Sequence, residues 1–125
     1  MSFVRRHADE IYALMRIAVG FLFLCHGLTK IFGWPGEPHP DAPALVRWVA
    51  GGIELLGGAL VMVGLATRVA AFVSSGLMAF AYWLAHGPQA LLPINNQGEL
   101  AVVYCFVFLY VCAHGAGTWS LDERA

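Results

Sequence analysis

Charge is scarce in this chain. Only 12% of its 125 residues are charged, seven Lys or Arg against eight Asp or Glu. Neither sign gathers into a run or a patch, so nucleic acid is not expected as a partner. Cysteine is also sparse, and Cys25, Cys105 and Cys112 form no C-x-x-C pair. That spacing excludes an exported disulfide framework, a dithiol redox motif, an iron–sulfur site and c-type haem attachment. Cys105 and Cys112 stand about 10 Å apart along a helix, too far for a disulfide, and all three cysteines read as small apolar packing groups. The chain also lacks a Gly-rich nucleotide loop, so any electron transfer needs a quinone or a partner protein.

What the chain has in abundance is apolar sequence: 59% hydrophobic residues and a mean hydropathy of +0.68. These values define an integral membrane protein. At roughly 20 residues per crossing there is room for about four spans. The expected fold is all-α, an integral membrane four-helix bundle forming a single domain over 1–125, with spans near 10–32, 44–65, 68–86 and 98–115. The first apolar run passes Lys30 and is followed directly by Gly33, Trp34 and Pro35, not by an A-x-A-like cleavage site. It reads as a retained span and not as a secretory signal.

In that first span Asp9 is the expected N-cap, and Gly33 with Pro35 the stop. Arg16, Gly20, Phe23, Gly27 and Lys30 share one helical stripe, with His26 beside it. Glycine permits close backbone approach, so this face should point into the bundle. Residues 33–43 hold four of the six prolines and form a loop. Glu54 lies about ten residues into the second span, deep in the bilayer by helical rise. The third span ends in His86, after Tyr82 and Trp83, and the fourth starts near Glu99.

Antiparallel connectivity brings Lys30, His86 and Glu99 to one depth, with His26 a turn below and Glu54 deeper still. Ionisable groups inside a membrane protein must face protein or trapped water, so these five form a candidate outward-opening polar pocket. Two readings stay open: an ion-pair network that fixes helix register, or a site for a ligand, a quinone, a proton or a metal. His26, His86, Glu54 and Glu99 are of metal-ligand type, but no H-x-x-x-H or E-x-x-H spacing supports a metal, and none is expected. Tyr82, Trp83, Phe32 and Trp34 can line a quinone pocket or serve as interfacial anchors. Arg16, nearer the other end, is expected to snorkel or to cap a neighbouring helix.

Arg5, Arg6, Arg68 and Arg124 lie on the side of the termini, against Lys30 and Arg47 on the other, which places both termini in the cytoplasm. HGLTK at His26–Lys30 followed by FGW, GGIELLGG around Glu54, His86, NQGE at Asn96–Glu99 and the closing GAGTWSLD together resemble the DoxX family of small four-helix membrane proteins. The resemblance implies a multi-pass protein of the bacterial cytoplasmic membrane. The family takes its name from a subunit of a thiosulfate:quinone oxidoreductase, which makes quinone the implied cofactor.

The expected function is therefore a quinone-linked oxidoreductase component. In it His26 and His86 exchange protons or hydrogen bonds with a headgroup, Glu54 accepts a proton, and Lys30 with Glu99 balances charge. Expected partners are the lipid bilayer and a redox or membrane-complex protein, with a homo-oligomer open to the glycine-lined faces. The alternative is a non-catalytic small-molecule-binding or interaction subunit. A transporter ranks behind both, since four helices leave little room for alternating access.

Overall fold

The computed structural model describes residues 1–124, and these contain helices and loops but no strand. A single short turn, α1 (Ser2–Arg6), leads through His7 into α2 (Ala8–Phe32). This corrects the expected cap. His7 occupies the N-cap position without a side-chain cap bond, and Asp9 sits inside the first turn. There its charge still meets the positive end of the helix dipole. Gly33 ends α2 in the left-handed conformation, at φ 71°, with its N–H donating to Thr29 O at 3.0 Å. Glycine adopts that conformation without the steric cost that a Cβ brings.

The next helix opens with a π-helical turn, Val46–Ala50, and continues unbroken into α3 (Gly51–Val63). A tight turn over 64–66 reverses the chain into α4 (Thr67–Ala81), which runs into a second π-helical turn, Tyr82–His86. After the short α5 (Pro93–Asn96) come α6 (Glu99–His114) and a final turn, α7 (Leu121–Arg124). Three helical stretches, 8–32, 46–63 and 67–86, are long and apolar enough to cross a membrane, and α6 is a shorter apolar helix. Its 16 residues reach about 24 Å at 1.5 Å per residue. The protein is thus an all-α membrane bundle whose outward side chains contact lipid.

Two close helix pairs build the bundle, α2 with α3 and α4 with α6, and α3 packs on α4 between them. Glycine makes the first pair close. A Cβ on Gly20 would stand 2.8 Å from Gly58 O, one on Gly58 would stand 2.7 Å from Gly20 O, and one on Gly27 would collide with the Leu55 backbone. The glycine stripe of α2 therefore faces inward, as its spacing indicates. In lipid, where burial from water drives little, such backbone contact supplies the association through dispersion. Between α2 and α6 the spacing is set by rings. Phe23 lies 4.7 Å from Phe108 and 5.4 Å from Tyr104, centroid to centroid. Tyr104 stacks on Phe108 at 5.8 Å.

At the end carrying the termini, every turn is tied by hydrogen bonds. Arg16, 0% exposed, donates to Val61 O and Met62 O at 2.7 and 2.8 Å, and to Trp119 O and Thr118 O at 2.8 and 3.3 Å. It caps the carbonyl end of α3 and holds the segment before α7, so of its two expected roles it takes capping. Arg68 does the same for α6, reaching Cys112 O and Ala113 O at 2.7 Å. At the opposite end Arg47 reaches Lys30 O and Ile31 O at the close of α2. Each arginine puts a positive charge on the negative end of a neighbouring helix dipole. Asp122 completes the set in the reverse sense. Its carboxylate accepts from the N–H groups of Ala66 and Thr67 at 2.9 Å and from Thr67 Oγ1 at 2.7 Å, capping α4 from a remote part of the chain.

Candidate functional site

The opposite end is open. A cavity of about 360 Å³ is lined by His26 and Lys30 from α2, Glu54 from α3, His86 from the second π turn, and Gln97 and Tyr104 from the α5–α6 region, among apolar neighbours including Leu77 and Met78. Lys30 Nζ reaches both oxygens of Glu54, at 2.6 and 2.7 Å. The Glu54 carboxylate is almost wholly buried, while the lysine is about one-third exposed. Removing such charges from water costs several kcal/mol per ion, and close two-oxygen contact offsets that cost. A neutralised pair on the cavity wall is the result.

The two imidazoles differ. His86 Nδ1 lies 3.0 Å from Asn96 O, whereas the exposed His26 ring meets Tyr104 edge-on at 6.0 Å. His26 thus lines the cavity as an exposed ring, and His86 as a held one. Of the four helices that meet at the cavity, two do so through π-helical turns, the one leading into α3 and the one leaving α4, a form that is rare and recurs at functional sites. Among the described residues no group of three or more His, Cys, Asp and Glu side chains is placed to hold a metal ion.

Of the five ionisable residues expected together, four line this cavity. Glu99 does not. It is exposed and borders a separate shallow groove with Pro93, Ile94 and Val103. The carboxylate that meets Lys30 is Glu54, so Glu99 takes no part in that charge balance. Helical rotation is the reason: Leu100, Ala101 and Tyr104 carry the cavity face of α6, and Glu99 is turned about 100° from Leu100. Tyr82 is buried behind the cavity wall, where its hydroxyl accepts from Asn96 Nδ2 at 3.1 Å. Trp83 packs edge-on against Tyr82 but is exposed, and Trp34, 68% exposed, lies in the loop after α2. Neither tryptophan lines the cavity.

Two residues outside the expected site set matter here. Tyr104 lies on the same helical stripe as Ala101 and Phe108, a spacing visible in the sequence. Asn96 reads as one of three consecutive polar loop residues, and nothing local separates it from Asn95.

Fold and cavity together define a helical membrane protein with a polar chamber at one end. The chain belongs to the DoxX family, whose model matches residues 11–87. That stretch includes His26, Lys30, Glu54 and His86, while the NQGE and GAGTWSLD segments follow it. An uncharacterized protein of Haemophilus influenzae is 37% identical over 132 aligned residues, covering 99% of this chain and 97% of its own. A second uncharacterized protein of the same organism is 29% identical over 87% of this chain and 79% of its own. A Bacillus subtilis protein named "Putative oxidoreductase CatD" is 40% identical over 60 residues, 45% of each chain. No solved structure matches.

Proposed function

We propose that this DoxX-family protein is a component of a quinone-linked oxidoreductase, and that the cavity receives the quinone headgroup. The observation that carries this reading is the meeting of two imidazoles and a buried carboxylate–ammonium pair in one chamber whose remaining walls, Gln97 apart, are apolar and aromatic. A flat ring with polar edges fits such a donor set. The partial relative named as an oxidoreductase supports the reaction class. We place the protein in the bacterial cytoplasmic membrane with both termini inside, on the distribution of Arg5, Arg6, Arg68 and Arg124. The cavity then opens at the outer face.

Bound at this site, a quinone–quinol couple would supply the redox chemistry, exchanging two electrons and two protons. Electrons would pass to or from a partner protein, since the chain has no sequence motif for a redox centre of its own. His86 and His26 would hydrogen-bond the ring's hydroxyls and pass protons to and from them. Glu54 supplies a proton-accepting carboxylate below them. Lys30 balances the charge of that carboxylate. The closed Lys30–Glu54 pair equally suits a non-catalytic small-molecule-binding or interaction subunit, which would bind the ring and turn nothing over.

A short-chain quinol, kept reduced, titrated into detergent-purified protein should bind saturably, and His86→Gln should weaken binding by about tenfold, the loss of one good hydrogen bond. Folded protein that shows no saturable binding and yields no quinone on solvent extraction sinks the proposal. Binding without electron transfer to or from any membrane fraction favours the non-catalytic subunit.

A further inference from the structure

The loop between α4 and α6 is built around one side chain. Asn96 is 1% exposed. Its Nδ2 donates to Tyr82 OH at 3.1 Å and to Ala90 O at 3.0 Å, and its Oδ1 accepts from Gly98 N at 2.9 Å. Next to it Gln97 stands in the left-handed region at φ 60°. A non-glycine residue persists there only where its surroundings over-determine the backbone. Gly98 is crowded as well, since a Cβ there would lie 2.6 Å from the Tyr82 ring and 2.8 Å from Asn96 Oδ1. Three consecutive residues are therefore fixed against the second π turn, and the carbonyl they fix is the one facing His86 Nδ1 at 3.0 Å.

A carbonyl oxygen can only accept, so the neutral His86 ring carries its proton on Nδ1. The other nitrogen, Nε2, is then a bare acceptor with no protein partner in a ring that lines the cavity. We infer that Asn96 is the positioning residue of this site: by locking its own carbonyl it holds His86 in the Nε2-acceptor tautomer. Neutral His86 can then take a hydrogen bond or a proton from a ligand hydroxyl but cannot donate to a ligand carbonyl. The cavity is thereby specified for a hydroxyl-bearing ring on the His86 side, which in the function proposed above is the reduced, quinol form. That last step rests on the quinone reading; the tautomer does not.

The test is nitrogen-15 NMR of histidine-labelled protein in detergent at about pH 8, where an ordinary histidine is neutral. The His86 signals are assigned by their loss in His86→Gln. Wild-type protein should show His86 protonated at Nδ1. Asn96→Asp removes both donated bonds and should give a mixture of the two tautomers. Tyr82→Phe removes one acceptor while keeping the ring, and should give a smaller shift in the same direction, serving also if Asn96→Asp does not fold. An Nε2-protonated His86 in the wild type overturns the inference, as does an unchanged Nδ1-protonated ring in the folded variants. Failure of quinol binding with the tautomer intact counts against the proposed function alone.

Discussion

Two cations are drawn into this bundle, one near each end, and they are met differently. Arg16 is surrounded by backbone carbonyls from two separate segments, whereas Lys30 is met by the side chain of Glu54. Carbonyls neither titrate nor move without the backbone, so the Arg16 end is a fixed structural joint. A carboxylate can be protonated, displaced or exchanged, so the Lys30 end retains chemistry. Arginine and lysine suit these tasks, the one as a permanently charged fork with several donors and the other as a compact charge on a flexible stem.

The sharpest way to break this contrast is to remove each cation and seek rescue. Lys30→Met leaves Glu54 buried without a partner and should cost about 3–5 kcal/mol. Adding Glu54→Gln should recover most of that in thermal unfolding in detergent. Arg16→Met strands carbonyls at the end of α3 and beside Trp119 and should cost about 3 kcal/mol, because several bonds from a charged donor are lost at once. No single second substitution can restore it, since its partners are backbone. Equal rescue at both ends would refute the distinction.

A smaller effect belongs to Asp122. Its bonds from Thr67 and Ala66 hold the carboxyl below the usual carboxylate range. Because the folded pKa lies below the unfolded one, the cap contributes in full above about pH 4 and its contribution is lost on further acidification. Asp122→Asn should cost about 1 kcal/mol at neutral pH and flatten the acid limb of the melting-temperature profile. Smallest of all is Glu99→Gln. Exposed and outside the cavity, it should change stability by less than about 0.5 kcal/mol and leave quinone binding unaltered. Weakened binding in Glu99→Gln would return that carboxylate to the site.

Much of the architecture is legible in residue spacing. Gly33 with Pro35 marks the end of α2, the glycine stripe predicts its inward face, and helical rise places His26, Lys30, Glu54 and His86 at compatible depths. Contacts made across the fold are not legible. Nothing around Arg47 or Arg68 announces that each closes a helix other than its own, because a cap supplied in trans leaves no local pattern. Both read as loop charges for an orientation count. Glu99 misleads for a related reason: depth along a helix does not fix azimuth, and one residue of rotation carries it off the cavity face. Asn96 looks like solvent-facing loop until the chain folds it under Tyr82 and His86.

Asp122 caps α4 from 55 residues further along the chain, and this separation has a consequence in the order of synthesis. Domains assemble from the N-terminal side as the chain emerges. The hairpin of α3 and α4 is therefore made, and committed to the bilayer, while the amides of Ala66 and Thr67 still bond to water. Those amides exchange water for Asp122 only when the residues after α6 have been translated. Closing the terminal end thus waits on the arrival of a single carboxylate.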